Sequence, residues 1–115
     1  MKFHFDCVFY YVSDLDRSVR FYQDVLGFQL CSRDVVARFD IDSVLFEVVP
    51  VPPETHLRQT GNARLCLRVQ NVEESLRELS AKGVPVSPAE PKSNGVLGSF
   101  RDPDGNELCL WEYNK

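Results

Sequence analysis

Four thiols are the first candidates for chemistry in this chain: Cys7, Cys31, Cys66 and Cys109. They are widely scattered and form no Cys-x-x-Cys pair. Cys7, Cys66 and Cys109 lie within apolar runs, where a reduced thiol packs as a small buried hydrophobe. Buried free thiols are therefore expected rather than two disulfides. Ser18, Ser75 and Ser99 have no His–Asp arrangement around them, and the two histidines, His4 and His56, read as surface residues. No Gly-rich phosphate loop or HExxH helix is present. Local motifs supply no site.

Charge and composition narrow the classes. The chain has 115 residues, with 13 Lys+Arg against 17 Asp+Glu, a net charge of −4. That balance lacks the basic surplus or stripe of a nucleic-acid-binding domain. Hydrophobic residues at 43% and charged residues at 26% describe an ordinary globular chain rather than a disordered one. No apolar run approaches the roughly 20 residues that span a bilayer. The start, Met1 to Asp6, does not read as a secretory signal, so a cytoplasmic location is expected.

The elements that must position any site repeat themselves. Val12-Ser13-Asp14-Leu15-Asp16-Arg17-Ser18-Val19-Arg20 aligns with Val69-Gln70-Asn71-Val72-Glu73-Glu74-Ser75-Leu76-Arg77, and Gly27-Phe28 follows as Gly83-Val84 does. Residues 5–12 and 64–70 read as strands. Asp14 and Asn71 then cap helices, the first with an apolar stripe of Leu15, Val19, Tyr22, Val25 and Leu26. Glu74 completes a capping box, and Gly27 and Gly83 suit left-handed C-terminal caps. Strands follow near 28–32, 35–40 and 44–49, then near 85–87, 96–101 and 107–113, with a turn at Asp102-Pro103-Asp104-Gly105. The expectation is one domain over 1–115: module one about 1–50, a Pro/Gly-punctuated linker about 51–63, and module two about 64–115. Neither copy has core enough to stand alone, so the two should pack together.

The run from Val12 to Phe28, with Phe21-Tyr22-Gln23-Asp24-Val25-Leu26-Gly27 at its end, resembles the opening signature of the glyoxalase/bleomycin-resistance/extradiol-dioxygenase (vicinal oxygen chelate) superfamily. Phe100-Arg101-Asp102-Pro103-Asp104-Gly105-Asn106-Glu107-Leu108 resembles its closing signature. The resemblance implies an α+β fold of two βαβββ modules pairing into a curved, half-barrel-like mixed sheet around a central cleft. It also implies that metal-dependent members draw four ligands from the first and last strands of each module. The matching positions here are Cys7, Glu47, Arg64 and Cys109. Only Glu47 keeps the family's usual oxygen ligand, and a guanidinium cannot ligate because it stays protonated. That departure argues against glyoxalase I or extradiol dioxygenase chemistry.

Strand alternation sorts the neighbours. With Cys7 facing inward, so do Phe5, Phe9 and Tyr11, while Val8, Tyr10 and Val12 pack under the helix. By the same parity Arg64, Cys66 and Arg68 line the cavity, Glu47 brings Leu45 and Val49, and Cys109 brings Glu107, Trp111 and Tyr113. Aromatic walls around one carboxylate and two guanidiniums describe a small-molecule site. The competing structural role makes these aromatics core and Arg64–Glu47 an ion pair of the fold.

The expected function is metal-free binding of an aromatic or anionic small molecule at Cys7, Phe9, Tyr11, Glu47, Arg64, Cys66, Arg68, Cys109 and Trp111. No cofactor is required. The alternative is a metal-dependent lyase, isomerase or dioxygenase-like enzyme with the atypical ligands Cys7, Glu47 and Cys109. A third possibility is a regulatory domain whose dimer is its function. Besides the small molecule, the expected partner is a second copy, because a chain this short gains buried area by dimerising. Light scattering at micromolar concentration should give about twice the 13.2 kDa chain mass; a value near one chain refutes the dimer.

Overall fold

The structure is a computed structural model and describes residues 1–2, 4–52 and 63–115. Most of the expected linker, with Pro53, His56 and Gly61, lies outside the described residues. Two compact units divide the chain, Met1–Arg58 and Gln59–Lys115.

The first unit runs β1 (Val8–Val12), α1 (Leu15–Arg20), a π-helical turn (Phe21–Val25), β2 (Gln29–Arg33), β3 (Ala37–Ile41) and β4 (Val44–Pro50). Its four strands lie in the order β1-β4-β3-β2, with β1 parallel to β4 and the other pairs antiparallel. The second unit runs β5 (Leu65–Arg68), α2 (Val72–Ala81), β6 (Glu90–Lys92), β7 (Gly95–Arg101) and β8 (Glu107–Tyr113). Its order, β5-β8-β7-β6 with β5 parallel to β8, repeats the first. The fold is α+β, built from two βαβββ modules.

Local chemistry explains most element ends. Asp14 accepts from the Arg17 N–H at 3.0 Å, and Asn71 from the Glu74 N–H at 2.9 Å, so both expected caps form. Gly27 and Gly83 take φ of +75° and +83°, the left-handed conformation that ends each helix. Asp102 is buried and ties its own turn, accepting from the Asp104 and Asn106 N–H groups at 2.9 and 2.8 Å.

Three differences from the sequence reading have physical causes. The first helix widens at Phe21–Val25, where the Leu26 N–H donates to the Phe21 carbonyl five residues back. Phe21 and Tyr22 on this widened turn are both buried. The strand expected near 85–87 shrinks to one bridge, Val86 to Phe100, and the edge strand forms at Glu90–Lys92. Pro91 fits there because an edge strand has no second neighbour needing its N–H. The strands expected from 5 and 64 begin at Val8 and Leu65. Phe5 is thus off the strand and largely exposed.

In each module the helix covers one face of the sheet. Val12, Tyr22, Phe39, Phe46 and Val48 form the fully buried core of the first, and Val72, Leu76, Phe100, Leu108 and Leu110 that of the second. Gly98 lets α2 lie close to β7: a Cβ there meets Val72 Cγ1 at 2.7 Å and Leu76 Cδ1 at 3.3 Å. Gly98→Ala should therefore lower stability by about 1–3 kcal/mol through overpacking, read by denaturant melts. An unchanged midpoint would show that α2 shifts freely on the sheet.

Candidate ligand-binding site

The opposite face of each sheet carries the residues that strand parity placed together. In the first module Phe9 and Tyr11 alternate out from the core and stack edge-on at 5.3 Å, 46% and 50% exposed. Phe9 pairs in register with Glu47 on β4, and Glu47 with Arg38 on β3. The Arg38 guanidinium lies 3.6 Å from the Glu47 carboxylate and 3.2 Å from Asp34. Cys7, one residue ahead of β1, is half-buried. Burial pushes its thiol pKa up, and the Glu47 charge and a hydrogen bond to Asp6 push it further.

The second module repeats the arrangement with different chemistry. Arg64, one residue ahead of β5, donates to the Glu107 carboxylate on β8. Arg101 on β7 approaches the same carboxylate at 3.9 Å, so two guanidiniums flank Glu107. Cys66 is the register partner of Cys109, and Arg68 of Trp111. Trp111 and Tyr113 pack edge-on at 5.9 Å. A pocket of about 680 Å³ opens at the end of this face, lined by Arg68, Val69, Gln70, Tyr113 and Lys115.

One expectation changes here. The thiols are free but none is buried: Cys31 and Cys66 are exposed, Cys7 and Cys109 half-buried. Cys7, Cys66 and Cys109 fall on the face that the module's own helix leaves open, and Cys31 sits where the β2–β3 register slips. Inside each module Arg64 pairs with Glu107 and Glu47 with Arg38. Alternation had placed Glu107 on the correct face. Arg38 was missed, although the two-residue Asp42-Ser43 turn implies its register: pairing Ile41 with Val44 places Arg38 opposite Glu47. Both turn residues take positive φ, as such a tight hairpin requires.

A model of the Glyoxalase/Bleomycin resistance protein/Dioxygenase superfamily matches residues 4–110. The chain belongs to that superfamily. Among solved structures it is similar to the fosfomycin resistance protein FosX from Listeria monocytogenes, with a TM-score of 0.81 and 19% identity over 99% of this chain and 96% of that one. It is also similar to SMU.1112c, at 0.79 and 27% over 95% and 98%, respectively. Lactoylglutathione lyase from Agrobacterium tumefaciens matches at 0.76 and 21% over 95% and 92%. A mutant of the Listeria FosX has been solved with Mn(II) and 1S,2S-dihydroxypropylphosphonic acid. No curated protein matches the sequence.

The donor set suits such an ion poorly. Among the described residues no three His, Cys, Asp or Glu side chains gather as metal ligands.

The geometry around Cys7 is testable by its titration. A thiol whose folded pKa is raised favours the folded state fully below the unfolded value of about 8.5 and loses that contribution as pH rises. Residue-resolved alkylation of Cys7 should show a midpoint above about 8.5, and Glu47→Gln should lower it. A midpoint that ignores Glu47→Gln would separate the two side chains.

Proposed function

We propose that this superfamily member is a metal-free small-molecule-binding protein that sequesters or senses an anionic, aromatic ligand. The supporting observation is Arg64. It occupies a position that corresponds by resemblance to a metal ligand, and it is near enough to Cys109 to offset a small part of the upward push that burial, then Cys66 and Glu107, give that thiol. A guanidinium at that place supplies the positive centre that a dication supplies elsewhere. The ligand's carboxylate, enolate or phenolate replaces part of the Glu107 pairing and is bound in bidentate fashion. Glu107 keeps Arg101 as a counter-charge during the exchange. Trp111, opposite Arg68 on the same face, offers a ring surface. The proposed contacts are Cys7, Phe9, Tyr11 and Glu47 on the first module and Arg64, Cys66, Arg68, Cys109 and Trp111 on the second.

A second copy as partner and a cytoplasmic location belong to the same reading. No described helix is long and apolar enough to cross a membrane.

Thermal-shift screening of planar aromatic carboxylates should find a stabiliser. Charge-assisted contacts contribute roughly 1.5–3 kcal/mol, so Arg64→Met should weaken that ligand about ten- to a hundredfold. A stabiliser indifferent to Arg64→Met, or a uniformly inactive panel, would overturn the proposal. Stoichiometric zinc or manganese in protein purified without chelator would favour the alternative enzyme with Cys7, Glu47 and Cys109 as ligands.

A further inference from the structure

Cys66 and Cys109 are register partners on the adjacent parallel strands β5 and β8. In-register neighbours on parallel strands share a face and stand about 4.8 Å apart. Both thiols are free, and Cys66 is exposed. They are close enough that the charge of Cys66 raises the Cys109 pKa, after the larger effect of burial.

The spacing discriminates between the reactions open to two thiols. A disulfide needs Cβ atoms about 3.8 Å apart, so closing one here pulls the two strands together. On a linear two-coordinate ion the two sulfurs sit on opposite sides of the metal, two metal–sulfur bonds apart. Register partners on neighbouring parallel strands bring two such sulfurs within reach of one ion. A tetrahedral zinc site needs further ligands, and among the described residues no group of three His, Cys, Asp or Glu side chains supplies them. Paired thiolates select soft ions.

We propose that Cys66 and Cys109 form a two-thiolate site for a soft monovalent d10 cation of the Cu(I) class. Two S–H protons leave to solvent, two sulfur–metal bonds form, and no oxidation state changes. The product carries one net negative charge. Arg64 and Arg68, two residues to either side of Cys66 on the same strand parity, offset it. This site shares Cys66, Cys109, Arg64 and Arg68 with the proposed ligand contacts but takes a cation through sulfur rather than an organic anion through Arg64, so its test by Cu(I) is independent of that reading.

The test is anaerobic titration of the full chain with Cu(I) against a chromophoric Cu(I) chelator. One equivalent should bind. The second thiolate acts intramolecularly, so Cys66→Ser and Cys109→Ser should each weaken binding by about a hundredfold or more, and Cys31→Ser should not. Cys66 is exposed, so its variant keeps the fold and serves as the deciding arm. An independent readout needs no variant: bound Cu(I) should protect Cys66 and Cys109, but not Cys31, from alkylation. Binding that survives Cys66→Ser, or that falls equally in Cys31→Ser, overturns the site.

Discussion

The parallel pairing of first and last strands within each module is the constraint on which the rest depends. A parallel neighbour cannot be reached by a tight turn, so the chain must cross over before it returns. The crossover supplies the helix, which covers one face of the sheet. The pairing also brings residues about forty positions apart side by side: Phe9 to Glu47, Cys66 to Cys109 and Arg68 to Trp111. Without β1 against β4 and β5 against β8, the site residues have no common face.

Covering one face divides the side chains into two populations. Those beneath the helix are Val, Leu, Phe and the buried Tyr22, packed to full burial. Those on the other face combine aromatics with charge, and the charges are paired within each module. Glu47 answers Arg38, and Glu107 answers Arg64 and Arg101. Glu107 and Arg64 retain partial solvent access, at 25% and 35%. Pairs of this kind contribute little to stability, which leaves them free to exchange partners with a ligand. The two open faces differ in kind: one carries Phe9, Tyr11 and a carboxylate, the other two thiols and several guanidiniums.

Much of this was legible in the order of residues because it is local. The caps at Asp14 and Asn71, the left-handed glycines at 27 and 83 and the Asp102 turn depend on neighbours within four residues. Strand parity is equally local, and it assigned Val12 to the core and Phe9 and Tyr11 to the open face as found. The π-helical widening at Phe21–Val25 was not legible. The bond from the Leu26 N–H to the Phe21 carbonyl reveals it, and an apolar stripe written for an α-helix hides it.

The sequence by itself determined the duplicated module, the α+β class and the superfamily signatures. Each is a property of residue type at a stated spacing. The tertiary structure decided which charges meet and whether the thiols are covered. Arg64 lies 43 residues from Glu107, and Cys66 the same distance from Cys109. Composition and periodicity carry no information about such pairs, because their meeting depends on strand order and register, which only long-range backbone hydrogen bonding sets.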